Sequence, residues 1–178
     1  MSFDIQKLVR SHIADLQPYS SARDEFDPVD SEVVYLDANE NPFDNGVNRY
    51  PDPQQLQLKE VIATIKGVSR NQLLLGNGSD EVLDLIFRAF CTPNKDDIIL
   101  MPPTYGMYKV LANINQITLY EVPLNNDFQL VTKDIINQIS PQTKAIFLCS
   151  PNNPSGNSFN REDILTLLQN FNGLVVID

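Results

Sequence analysis

Short apolar runs, each followed by a polar turn and then a stretch of helical period, set the limits on how this chain folds. The clearest are Ile98-Ile99-Leu100-Met101, Ala145-Ile146-Phe147-Leu148-Cys149 and Val175-Val176-Ile177. A run this short and this continuous reads as a strand buried on both faces, which is typical of parallel sheets; a strand with one wet face alternates instead. Parallel neighbours cannot be joined by a tight hairpin and need crossovers, which the intervening helical patterns supply.

The pattern predicts a helix near 54–66 and a short strand at Leu73-Leu74-Leu75. A helix follows at 79–91, with Val82, Leu85, Ile86, Ala89 and Phe90 on one face, then a strand over 97–101. Further along it predicts a helix at about 104–114, a strand at 118–122, a helix at 132–139, a strand at 144–149, a helix at 161–171 and a strand at 174–178. Asn160 supplies a cap for the last helix, and Glu162 and Asp163 put negative charge in its first turn. The class is α/β. Residues 1–53 read as an arm rich in Pro, Asp, Asn and Ser, with a short helical pattern at Ile5, Leu8, Val9 and Ile13 and a strand-like Val33-Val34-Tyr35-Leu36.

Composition narrows the partners. The formal charge is -10 with only 13 Lys and Arg, which argues against a phosphate-backbone surface and for small molecules or proteins. Cys91 and Cys149 lie far apart with no His or Cys cluster near them, so neither a disulfide framework nor a zinc site is suggested. Met1-Ser2-Phe3-Asp4-Ile5-Gln6-Lys7 lacks the apolar stretch of a signal peptide, and no run approaches membrane-spanning length. The expectation is a soluble cytoplasmic protein.

Four strand ends carry groups suited to a planar, phosphorylated ligand. Gly76-Asn77-Gly78-Ser79-Asp80-Glu81 joins a strand to a helix, where two glycines allow positive φ and the helix start offers free N–H groups. Taken by itself, the segment reads first as a plain strand-to-helix turn with Ser79 or Asp80 as cap. It is neither a Walker loop nor a dinucleotide fingerprint, because the Gly-Lys-Ser/Thr and the third glycine are missing. In Pro102-Pro103-Thr104-Tyr105-Gly106-Met107-Tyr108, Tyr105 can lie flat on a planar ligand or equally be a packed surface aromatic, whereas Tyr108 falls on the stripe with Leu111 and Ala112 and reads as core. In Ser150-Pro151-Asn152-Asn153-Pro154-Ser155-Gly156, Asn153 offers a donor amide or forms an ordinary turn. Asp178 reads as a cap, a salt-bridge partner or an anion aimed at a protonated ring nitrogen.

Taken in order, these motifs resemble the fold-type-I pyridoxal-phosphate aminotransferases. Within them, Pro18-Tyr19 with Ala22-Arg23, Leu36-Asp37-Ala38-Asn39-Glu40-Asn41-Pro42 and Arg49-Tyr50-Pro51-Asp52 are similar to the amino-terminal motifs of the histidinol-phosphate aminotransferase family. The resemblance implies a three-layer α/β/α large domain, of which 54–178 is a part, preceded by an arm over 1–53 that serves the substrate site and dimer contacts. It implies pyridoxal 5'-phosphate as cofactor, with the backbone of Ser79, Asp80 and Glu81 on its phosphate. Tyr105 would lie on its ring, Asn153 on its phenolic oxygen and Asp178 on its ring nitrogen.

Tyr50 would reach across a homodimer interface, and Tyr19, Asn39, Glu40 and Asn41 would lie near an amino-acid substrate. The implied reaction moves an amino group between L-histidinol phosphate and 2-oxoglutarate in histidine biosynthesis. The family's Schiff-base lysine lies beyond Asp178, so the chain as written is expected to be inactive. Alternatives are an aromatic aminotransferase, a threonine-phosphate decarboxylase, a non-catalytic module that binds phosphate or pyridoxal phosphate, and an unrelated α/β nucleotide or phosphate-sugar binder.

Overall fold

The structure is a computed structural model and describes residues 4–20 and 34–178. It divides into two compact units, one of Met1–Asp15 with Gly76–Asp178 and one of Leu16–Leu75. The first contains a four-stranded parallel sheet in the order β2-β1-β3-β4, from β1 (Asp97–Leu100), β2 (Thr118–Glu121), β3 (Thr143–Leu148) and β4 (Leu174–Ile177).

Successive residues of a strand point to opposite faces, and both faces of the central β1 and β3 are buried. The outer strands differ: β2 is largely exposed and β4 only half-buried, with Ile177 54% exposed, so the Val175-Val176-Ile177 run is not the fully buried strand its continuity suggests. Ile98, Leu100, Ala145, Phe147 and Cys149 face one core, closed by Leu83 and Phe87 of α3 (Ser79–Phe90) and by Tyr108, Leu111 and Ala112 of α4 (Met107–Ile114). Ile99, Met101, Ile146 and Leu148 face the other, closed by Ile135 of α5 (Thr132–Gln138) and Leu167 of α6 (Arg161–Asn170). This is the three-layer α/β/α arrangement that the resemblance implied.

Two details depart from the sequence expectations. The stripe on α3 is shifted: Leu83 and Phe87 are the buried positions, Ile86 and Phe90 pack at their flank, and Leu85 is exposed. The apolar residues of α3 cover more than half its circumference, so period alone left the centre of the stripe undetermined. Leu73-Leu74-Leu75 is not a strand. A 3-10 turn at Arg70–Gln72 precedes it, Leu73 is extended, and its N–H bonds back to the Arg70 carbonyl at 3.1 Å. Strand formation needs a neighbour to pair with, and these residues have none among those described.

The second unit carries α2 (Leu56–Lys66), entered from Asp52, whose carboxylate accepts the N–H groups of Gln54 and Leu56 at 2.8 and 2.7 Å. Residues 34–36 form no strand, and Val33 lies outside the described residues. Among the described residues, no helix is long and apolar enough to cross a membrane.

Candidate active site

Strand order places the crevice. The chain leaves β1 for β2 on one side through α4 and returns to β3 on the other side through α5. Open α/β sheets bind ligands beyond the carboxyl ends of the strands where the winding reverses, here between β1 and β3. The loops leaving those two strands are the Pro102–Gly106 and Ser150–Gly156 segments singled out above.

Asn152 joins them. It is 2% exposed, and its amide nitrogen donates to the Pro103 carbonyl at 3.0 Å and to the Ser155 hydroxyl at 2.6 Å. Its carbonyl oxygen has no partner among the described residues. Asn153 next to it is exposed, and its backbone N–H donates to Cys149 Sγ at 3.4 Å. Of two adjacent asparagines, one is spent on holding the loops together and the other stands free at the loop surface.

The α3 terminus is built by glycines with different duties. Gly78 is the N-cap, with φ +81° and ψ 168°, a region open essentially to glycine, and no side chain caps the helix. Neither Ser79 nor Asp80 takes the cap position; Ser79 is the first helical residue. Gly76 sits at a close approach, because a Cβ there would lie 3.0 Å from both Glu81 Oε2 and Val82 Cγ2 and would make those side chains shift. Glu81 turns back to accept the Asn77 N–H, which braces the turn. The first N–H groups of α3, at Ser79, Asp80 and Glu81, are therefore left at the helix end without a side-chain acceptor, where the helix dipole is positive.

Tyr105 crosses to this helix: its hydroxyl donates to Asp80 Oδ1 at 3.2 Å. Its ring meets that of Tyr108 edge to face, with centroids 5.5 Å apart and planes at 86°. Tyr108 is 0% exposed, as its stripe predicts, and packs on Phe147 at 5.3 Å. Its hydroxyl donates to Asp178 Oδ2 at 2.8 Å. Burial and then the bond to Asp178 push the Tyr108 phenol far above its ordinary value of 10, so it stays a protonated donor. Burial, with the Asp80 bond second, raises Tyr105 as well.

Asp178 is fixed at the end of β4 by its neighbour strand. Its N–H donates to the Leu148 carbonyl at 2.9 Å, and its own carbonyl accepts the Ser150 N–H at 2.8 Å. The structure thus brings Asp80, Tyr105 and Asp178 together through Tyr108. Sequence reasoning missed the roles of Tyr108 and Asn152. A readable signal existed for the first, since a tyrosine on a buried apolar stripe needs a partner for its hydroxyl.

In the second unit, Asn39, Glu40, Asn41 and Tyr50 share one cluster. Glu40, its side chain only 4% exposed, accepts from Arg49 Nη1 and from the Tyr50 N–H, each at 2.8 Å. Tyr50 donates its hydroxyl to the Asn39 carbonyl at 3.2 Å, and Asn41 Oδ1 accepts the Phe43 N–H at 3.0 Å. Tyr19 is 92% exposed and joins no such cluster, and Ala22 and Arg23 lie outside the described residues.

Comparison with known proteins gives the family. The family model for aminotransferase class I and II matches residues 27–178. The chain is 65% identical over 176 residues to a histidinol-phosphate aminotransferase of Christiangramia forsetii, covering 99% of this chain and 50% of that protein. It is 60% identical over 178 residues to one of Flavobacterium johnsoniae, covering 99% and 51%. The chain spans about half the length of the curated relatives it matches.

Among solved structures, it superposes on N-succinyldiaminopimelate aminotransferase of Mycobacterium tuberculosis with a TM-score of 0.67 at 24% identity, over 75% of this chain and 38% of that one. For histidinol-phosphate aminotransferase of Sinorhizobium meliloti, solved with pyridoxal-5'-phosphate, the TM-score is 0.66 at 22% identity, over 73% and 36%. With a single family model running from the arm through every strand of the sheet, the chain belongs to the aminotransferases of class I and II.

Proposed function

We propose that this chain serves in a histidinol-phosphate aminotransferase, moving an amino group between L-histidinol phosphate and 2-oxoglutarate with pyridoxal 5'-phosphate as cofactor. The carrying observation is one run of contacts at the carboxyl ends of the strands: the uncapped start of α3 meets Tyr105 through Asp80, and Tyr105 meets the buried Tyr108, which bonds the Asp178 carboxylate.

The residues fit the cofactor chemically. The amides of Ser79, Asp80 and Glu81 would take its phosphate, as helix starts take anions. Tyr105 would lie on its ring, Asn153 would donate to its phenolic oxygen, and Asp178 would hold a proton on its ring nitrogen. When bound, pyridoxal phosphate supplies an electron-withdrawing ring that eases proton loss from the amino acid. A carboxylate beside the ring nitrogen favours the protonated ring, each unit of that preference being worth about 1.4 kcal/mol.

The reading extends to residues 1–53 as an arm serving substrate and dimer contacts and to 54–178 as part of the cofactor domain. Tyr50, its ring largely exposed while its hydroxyl and N–H are tied down, would face the second subunit of a homodimer. Tyr19 and the Asn39, Glu40 and Asn41 cluster would serve the amino-acid substrate. The covalent lysine would come from sequence matching the half of the relatives that this chain does not span. Two buried free thiols support a cytoplasmic location.

The test is a coupled glutamate assay on the complete reading frame with L-histidinol phosphate and 2-oxoglutarate. Glutamate formation that depends on pyridoxal phosphate and outpaces that with tyrosine or phenylalanine is expected. Preference for an aromatic amino acid, or carbon dioxide release from threonine phosphate, would overturn the substrate assignment.

A further inference from the structure

The Tyr108 hydroxyl has a duty that packing does not explain. The rest of its stripe, Leu111 and Ala112, is apolar, and a phenylalanine would fill the same space against Phe147 and Tyr105. The oxygen is kept inside the core, where a buried hydroxyl is tolerated only with a partner. Its partner is the carboxylate that the proposed function places on the ring nitrogen.

Backbone bonds to Leu148 and Ser150 fix the main chain of Asp178 but leave its side-chain torsions open. The only side-chain bond to that carboxylate among the described residues comes from Tyr108. Tyr108 itself cannot turn away, being fully buried between two aromatic rings.

We propose that Tyr108 is a positioning residue: its hydroxyl clamps one oxygen of Asp178 and thereby aims the other at the pyridine nitrogen of the cofactor. This rests on the reading of Asp178 as the ring-nitrogen partner. Three further titratable groups face this pair: Asp80 and Tyr105, joined by a hydrogen bond, and the Cys149 thiol beside the Tyr108 hydroxyl. None of them carries a positive charge that could take over the clamp. A freed carboxylate would rotate among staggered rotamers and spend less time in line with the ring.

The experiment uses the protein made from the complete reading frame, loaded with pyridoxal phosphate labelled with nitrogen-15 in the ring, as wild type, Y108F and D178N. The wild-type ring nitrogen should give the shift of a protonated pyridine, and D178N the shift of an unprotonated one. Y108F should fall between them at the same pH, with cofactor affinity within about threefold of wild type, kcat reduced at least about tenfold and KM within about twofold. A Y108F ring signal identical to wild type beside a shifted D178N signal would overturn the role of Tyr108 while leaving the function intact. No cofactor binding by wild type, or no shift in D178N, would overturn both. A tyrosine that merely filled space would change thermal stability and leave the ring signal where it was.

Discussion

Replacing Gly78 by alanine separates backbone strain from crowding. A Cβ built on Gly78 meets nothing within 4 Å, so there is no steric cost to the new methyl group. The cost lies in the backbone, held at φ +81° and ψ 168°, where an L-residue is penalised by about 1–3 kcal/mol. Alanine also restricts the unfolded chain, which returns about 0.4–1 kcal/mol. Subtracting the second figure from the first leaves a net loss of about 0–2.6 kcal/mol, centred near 1.3, which at that centre is roughly 3–5 °C in Tm for a chain of this size.

Gly106 is the matched control. It too has nothing within 4 Å of an added Cβ, but its φ is -69° and its ψ -22°, which any residue adopts. Gly106→Ala should be neutral or slightly stabilising. Urea unfolding of both variants with unchanged m-values measures the difference directly. If the G78A turn relaxes by tilting the first turn of α3, pyridoxal-phosphate affinity should fall about tenfold as well, equivalent to about 1.4 kcal/mol. Equal stability of the G78A and G106A variants would refute the strained turn and, with it, the account of how the amides of α3 are presented.

Phe147→Ala removes a fully buried ring stacked on Phe87 at 5.1 Å, and urea unfolding should show a loss of about 3–5 kcal/mol. A loss below about 2 kcal/mol would mean that the layer between sheet and helices is not close-packed. Burial, and secondarily Asp96, pushes the Cys91 thiol from 9.0 up to about 12. The folded state then keeps a proton that the unfolded chain loses, so stability should fall as pH rises from about 9 towards 12, by up to about 1.4 kcal/mol per pH unit. Cys91→Ala should flatten that slope in unfolding curves taken at pH 8, 9 and 10, and parallel slopes would contradict the burial. Asn160→Ala deletes the acceptor of the Glu162 N–H at 3.0 Å and should cost about 1 kcal/mol in the same assay; an unchanged midpoint would show that the cap is idle.

The centre of the sheet was legible because β1 and β3 are short, continuous and buried on both faces, a pattern that few other elements produce, whereas β2 is largely exposed and β4 half-buried. Asp97–Leu100 and Thr143–Leu148 fall within a residue or so of where their apolar runs put them. Leu73-Leu74-Leu75 has the same local pattern and failed, because pairing is a property of two segments and sequence shows only one. The Asn160 cap was readable for the opposite reason, since an asparagine bonds within two residues of itself. At the site, Tyr105 and Asp178 could be picked out as strand-end groups. The choice between Asn152 and Asn153, and the bond from Tyr108 across 70 residues to Asp178, depend on how loops and strands fold back on each other. Local spacing carries no trace of that.

The alternation along β1 and β3 has a consequence for how this chain tolerates change. Phe147 belongs to the layer shared with Phe87 and Tyr108, whereas its neighbours Ile146 and Leu148 belong to the layer shared with Ile135 and Leu167. Deleting or inserting one residue within β3 would exchange the two memberships along the rest of that strand, pushing aliphatic side chains towards the rings and the phenylalanine towards a space shaped for isoleucine. Single substitutions there should cost a side chain, while single-residue length changes should cost both layers and the seat of Asp178 at once. Length variation among functional relatives should therefore collect in the loops and be absent from the two central strands.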